Sequence, residues 1–147
     1  MSLKLGGYED YDDIKRMALA FFQASPYAPL GVDEARVEGL IEAFLDAPKE
    51  DKIVILWIAD NKPVGILAGT AETNIFNWSR FACELMWWID PPYRKTKAAE
   101  EMRSAYEFWA QKVQCQACSL VDVMGNLDKY YTRKGYDRRE TAYLKVL

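Results

Sequence analysis

The sequence predicts an α+β domain, a mixed and mostly antiparallel sheet flanked by helices in the order β-α-α-β-β-β-α-β-α-β. Three observations lead there. Apolar residues recur at steps of three and four over residues 11–23, 37–45 and 98–113, which is one face of a helix each time. Short, β-branched apolar runs fill residues 53–59 and 64–71, joined by the turn-forming Asp60-Asn61-Lys62-Pro63. The chain of 147 residues is about the length of one domain, and no repeat or low-complexity stretch divides it.

A short strand at residues 3–5 precedes the first helix, whose stripe is Ile14, Met17, Ala18, Phe21 and Phe22. Pro26 and Pro29 end it, because proline lacks an amide donor and clashes with the preceding turn. Asp33 is placed to cap the second helix, with Val32 and Val37 at the positions of a hydrophobic staple. Val37, Leu40, Ile41, Phe44 and Leu45 form its stripe, and Ala47-Pro48 its end. The run at 53–59 is too short for a helix and reads as a buried strand, and 64–71 returns as its antiparallel partner. Residues 71–79 are polar and irregular, 80–89 resume a strand, and Pro91-Pro92 close it.

Residues 96–113 read as the longest helix, with Ala98, Met102, Ala105, Tyr106, Trp109 and Val113 inward and Arg103, Glu107 and Lys112 elsewhere. A fifth strand at 119–123 runs parallel to the fourth, as a helical crossover permits. Asn126 is placed to cap a short helix at 127–133, with Gly135 as its left-handed stop. Residues 136–147, with Ala142, Leu144 and Val146 in alternation, read as a last strand.

There is no histidine. That excludes Ser-His-Asp and Cys-His nucleophilic sites and imidazole zinc sites, so protons must move through carboxylates, tyrosines, lysines, cysteines or water. A net charge of −3 argues against a nucleic-acid or membrane-surface partner. No apolar run approaches the ~20 residues of a membrane span, and the first residues lack the apolar stretch of a signal peptide. Three cysteines cannot all pair within one chain, which fits a reducing compartment and leads us to expect a cytoplasmic protein. Cys115 and Cys118 form a CxxC, but one that follows a helix rather than opening one, with no second pair of metal ligands; neither redox nor metal chemistry is expected of it.

Two segments join structural punctuation to unusual polar content. In the first, Glu84 to Ala99, a strand ends and a helix begins with Arg94, Lys95 and Lys97 around its first turn. Free amides and the helix dipole at such a start attract anions, phosphate above all. Cations there are unfavourable for the helix alone, and a bound polyanion offsets that cost; the plainer alternative is a solvated charge run. In the second, Asn126 to Tyr136, a capped short helix carries Tyr130 and Tyr131 and stops at Gly135 before Tyr136.

Together these segments resemble the GCN5-related N-acetyltransferase (GNAT) family over nearly the whole chain. Ile89-Asp90-Pro91-Pro92-Tyr93-Arg94 is similar to the family's Val/Ile-x-Pro-x-Tyr-Arg, and Arg94-Lys95-Thr96-Lys97-Ala98-Ala99 to its pyrophosphate loop Arg/Gln-x-x-Gly-x-Gly/Ala, with Lys97 standing at the first glycine. Tyr131-Thr132-Arg133-Lys134-Gly135-Tyr136 is similar to Tyr-x-x-x-Gly-Phe. Family members often place asparagine seven residues before that tyrosine; here the position is Met124, and Asn126 lies two further on.

The resemblance implies a direct transfer of an acetyl group from acetyl-CoA to a primary amine of a small molecule or peptide. It places the acyl donor against Trp87, Trp88 and Ile89, whose amides polarise the thioester carbonyl, and against Arg94, Lys95, Thr96, Lys97, Ala98, Ala99 and Asn126. Tyr131 is the matching proton donor to the departing thiolate, or else only core packing. Glu84, the one carboxylate inside its strand, is the candidate base, or else a solvent-facing residue. Trp87 and Trp88 point to opposite faces, one into the core and the other toward a cleft or a subunit contact. Tyr27, Phe76 and Trp78 are candidates for shaping an acceptor cleft. A homodimer is a family-level expectation. The competing reading is an inactive CoA-binding or protein-interaction module on the same scaffold.

Overall fold

The computed structural model describes residues 1–147. The elements are β1 (Ser2–Leu5), α1 (Tyr11–Ala24), α2 (Glu34–Asp46), β2 (Lys52–Ala59), β3 (Lys62–Thr73), β4 (Arg80–Ile89), α3 (Ala98–Lys112), β5 (Ala117–Ser119) and α4 (Asp128–Arg133). They form one five-stranded sheet in the order β1-β2-β3-β4-β5, antiparallel except for the β4–β5 pair. The expected mixed, mostly antiparallel sheet is present.

Helices cover both faces. On one side α3 packs Ala98, Met102, Tyr106, Trp109 and Ala110 against Ile53, Ile55, Trp57 and Leu67. On the other, Ile14 and Met17 of α1 and Ile41 and Phe44 of α2 meet Val54, Leu56, Ile66 and Ala68. This two-sided cover explains why β2 is apolar at consecutive rather than alternate positions. The Asp33 carboxylate accepts from the Arg36 amide and caps α2 as anticipated. The β2–β3 turn is tighter than the sequence suggested: Asp60 and Asn61 alone form it, with φ of 51° and 60°, which matches a two-residue hairpin. α3 approaches β3 closely; a Cβ at Gly69 would sit 2.8 Å from the Tyr106 ring.

Four expectations need correction. Residues 136–147 form no strand, although Leu144 and Val146 alternate; the segment finds no strand edge, and Arg138 and Arg139 bond locally to Thr141 and Asp137. β5 is shorter and earlier than expected, since after Ser119 the chain turns away and the Val121 carbonyl accepts a side-chain hydrogen bond instead. Asn126 caps nothing: it is exposed, and the Asp122 carboxylate accepts from the amides of both Asn126 and Leu127 to organise that turn. Arg103 is buried at 7% exposure, on the inward side of α3. Gly135 does stop α4, at φ +88°, with the Gly135 and Tyr136 amides donating to the carbonyls of Thr132 and Tyr131 in a Schellman arrangement.

Candidate active site

The site begins with two irregularities of β4. Ala68 lies opposite Met86 but Gly69 opposite Glu84, so Leu85 is an extra residue, a β-bulge. The bulge reverses the alternation: Ala82 and Trp87 pack on the α3 side, Met86 and Trp88 on the α1–α2 side. Glu84, paired with Gly69, thereby faces α3 rather than sharing a side with Met86. The second irregularity is at the edge. The parallel ladder with β5 runs only from Phe81–Ala117 to Cys83–Ser119, so from Glu84 onward β4 has no partner on that side.

The gap between the parting strands is a small cavity of ≈ 70 Å³ lined by Phe21, Glu84, Trp87, Val121, Val123, Met124, Leu127 and Tyr131. Glu84 is its one ionisable carboxylate. It is buried, its Oε2 has no hydrogen-bond partner, and removal from water pushes its pKa up to about 8. The Trp87 indole N–H is likewise buried without an acceptor. Tyr131 is buried too, stacked on Trp87, with its hydroxyl donating to the Val121 carbonyl at 3.0 Å. Burial, and then the nearby Glu84, raise its pKa well above that of an ordinary phenol, so it holds its proton at neutral pH. A hydroxyl that keeps its proton and a carboxyl with a raised pKa, facing one apolar cavity, form a pair able to give and to take a proton.

Trp88 and Ile89 end β4, and the basic loop follows them. Pro91–Tyr93 form a single 3-10 turn, and Arg94 folds back: its Nε donates to the Ile89 carbonyl at 2.7 Å and its guanidinium lies 4.5 Å from the Trp88 ring centre. Lys97 adopts ordinary helical geometry at φ −71° as the N-cap of α3 and pairs with Glu101 at 3.0 Å. The Thr96 hydroxyl accepts from the Ala98 amide, which leaves the amides of Ala99 and Glu100 with no acceptor inside the helix. Arg94, Lys95, Thr96 and Lys97 are all exposed around this start.

Of the residues singled out from sequence, the structure brings Glu84, Trp87 and Tyr131 to one cavity and sets Arg94 to Ala99 at the head of α3. Asn126 stands apart from both, while Met124 lines the cavity. Phe76 and Trp78 are almost wholly exposed on the β3–β4 loop and line neither feature. Sequence reasoning missed Phe21, Val121 and Leu127 as cavity walls; the only available signal was that each is apolar beside an element end. The CxxC is unbridged, and burial raises all three thiols, so no ready thiolate is present.

No curated protein matches the sequence. Solved structures match in fold. The apo crystal structure of aminoglycoside antibiotic 6'-N-acetyltransferase AAC(6')-IG from Acinetobacter haemolyticus is 14% identical with a TM-score of 0.75, over 100% of this chain and 97% of that one. AAC(6')-Iy in complex with a bisubstrate analog, CoA-S-monomethyl-acetylneamine, is 15% identical with a TM-score of 0.77, over 99% and 98%. A ribosomal-protein-alanine N-acetyltransferase from Brucella melitensis biovar Abortus 2308 is 12% identical with a TM-score of 0.73, over 100% of both chains. Identities this low speak to fold alone. The family profile described as "Acetyltransferase (GNAT) family" matches residues 12–136, from the first helix to the aromatic that follows Gly135. With that match over most of its length, this chain belongs to the GNAT acetyltransferase family.

Proposed function

We propose that the chain is an acetyl-CoA-dependent N-acetyltransferase acting on a primary amine of a small molecule or peptide. One observation carries the reading: Glu84 and Tyr131 face the same apolar cavity, at the point where β4 parts from β5. The residues present fit the donor. The free amides of Ala99 and Glu100, with Lys95 and Lys97 beside them, suit a diphosphate. The apolar walls suit the thioester end, and the unpartnered Trp87 N–H and Glu84 Oε2 await polar ligand atoms.

Acetyl-CoA supplies an activated acyl group. The chain's part is to orient it and manage two protons. Glu84 accepts the proton that the amine loses on attack, directly or through one water, and gains competence as pH rises toward about 8. Tyr131 gives its proton to the departing thiolate once its hydroxyl turns from the Val121 carbonyl. The amides of Trp87 and Ile89, which point to the open edge of β4, polarise the thioester carbonyl, whereas the register turns the Trp88 amide toward β3. We place the protein in the cytoplasm on its three cysteines, an odd and sparse set that is unbridged. A homodimer forms part of the same proposal.

The alternative, an inactive CoA-binding or interaction module, draws on the small cavity volume and on the Tyr131 hydroxyl being already engaged. Calorimetry with acetyl-CoA, followed by an acceptor screen with tyramine, spermidine, kanamycin and an alanine-initiated peptide, separates the two. Acetylation of any amine supports the enzyme. Binding without turnover across the panel supports the module, and no binding at millimolar acetyl-CoA removes both CoA readings.

A further inference from the structure

α4 is six residues long, too short to hold its shape in water by its own backbone bonds, yet it carries Tyr131. Side chains of α3 grip it on either side of that residue. Glu100 Oε2 accepts from the Tyr130 hydroxyl at 3.1 Å and lies 3.0 Å from Lys134 Nζ. Glu107 Oε1 accepts from the Tyr136 hydroxyl at 2.8 Å. The two carboxylates are two turns apart on α3, and Arg103 bridges them: Nη2 lies 2.5 Å from Glu100 Oε1, and Nη1 bonds Glu107 Oε1. Arg103 is buried on a helix whose other buried residues are apolar or aromatic. A buried guanidinium is costly unless paired, and a fork of donors can hold two carboxylates where a single ammonium cannot. None of the three lines the cavity.

We propose that Arg103 is a positioning residue: by fixing Glu100 and Glu107 on α3, it sets where α4 holds the Tyr131 hydroxyl. The proposal rests on the proton-donor role given to Tyr131 above. It requires that loss of Arg103 act on turnover through Tyr131 and not through the donor's phosphate site.

The test uses the full chain carrying Arg103→Met, with Glu107→Gln as a milder variant should the first not fold. Amide hydrogen exchange is measured for α4 and for β2 and β3. Turnover is followed with acetyl-CoA and the best amine of the screen above, in wild-type and Tyr131→Phe backgrounds. We expect α4 amides to exchange at least about tenfold faster while β2 and β3 stay protected. The turnover number should fall about tenfold, with the KM for acetyl-CoA nearly unchanged. In the Tyr131→Phe background Arg103→Met should cost almost nothing more. Unchanged α4 exchange, or an equal loss of turnover in both backgrounds, overturns the proposal. If Tyr131→Phe alone leaves turnover intact, the role of Tyr131 fails instead, and the exchange result by itself decides whether Arg103 fixes α4.

Discussion

The Tyr131 ring stacks on the Trp87 indole, with centroids 6.4 Å apart and planes 20° from parallel. One ring comes from the last helix and the other from β4, so the stack closes the cavity at the place where the sheet itself has stopped pairing. Tyr130 and Tyr136 pack against the same ring at 5.8 and 6.0 Å. With its ring held on three sides and its hydroxyl tied to Val121, Tyr131 is restrained in all but the rotation of its proton.

Tyr131→Phe keeps the stack and removes the hydroxyl. We expect turnover to fall about 10²-fold, the range for loss of a positioned acid, with little change in acetyl-CoA affinity. Stability should drop by about 1 kcal/mol, from the lost bond to the Val121 carbonyl. Steady-state kinetics and urea midpoints check both, and unchanged turnover strips Tyr131 of its role.

Glu84→Gln separates catalysis from stability by pH. Glu84 binds its proton more tightly folded than unfolded, so the stability it provides is complete below the ordinary carboxylate range and is lost as pH rises toward about 8. The glutamine variant should match wild type near pH 4 and become progressively more stable than it up to pH 8. The gap should widen by roughly 1.4 kcal/mol at most for each step of one in pH. Its turnover should lose the rise with pH that wild type shows. Parallel melting curves for the two proteins across this range would contradict the burial of an ionisable carboxyl here.

Lys97→Glu probes the helix head. Lys97 is exposed and in relaxed geometry, and a glutamate's favourable place at a helix start offsets the lost surface pair with Glu101 and the like charge four residues on, so folding should hold. Affinity for CoA should fall severalfold at about 0.01 M salt and much less at about 1 M, where the screening length shrinks from roughly 30 Å to 3 Å. Equal losses at both salts would point to structural damage and away from a phosphate contact.

Two glycines should fail for different reasons. At Gly69 an added methyl meets the Tyr106 ring at 2.8 Å and the Cys83 carbonyl at 3.1 Å. Tyr106 is fully buried with its hydroxyl on the Ser119 carbonyl, so it has little room to yield. Gly69→Ala should lose about 1–3 kcal/mol by overpacking. At Gly135 nothing stands within 4 Å, and the cost of alanine is that of φ +88° alone, about 1–2 kcal/mol. Urea denaturation gives both values, and a neutral Gly69→Ala would mean that α3 can lift from β3.

Most of the layered architecture was legible because its signals are local. The unbroken apolar run of β2 announces cover on both faces, Asp33 announces a cap, and Gly135 announces a stop. What escaped depends on partners distant in sequence. The alternation of Leu144 and Val146 is a strand pattern without a strand to pair with. Arg103 reads as a surface cation until Glu100 and Glu107 are seen to neutralise it inside. The bulge at Leu85 has no marker such as glycine, yet it decides which side Glu84 faces. For the candidate site, residue types pointed to Glu84 and Tyr131, but their common cavity and its walls at Phe21, Val121 and Leu127 arise only from chain crossing. Asn126 was misplaced because Asp122, four residues earlier, supplies the acceptor that organises the turn.

The short parallel seam between β4 and β5 has a mechanical consequence. Three residue pairs are a weak fastening beside the long ladders joining β2, β3 and β4. Thermal motion will therefore unzip this flank well before it disturbs the rest of the sheet. Opening of that flank would widen the cleft beside Glu84 and Tyr131 while leaving the ladders of β2, β3 and β4 intact.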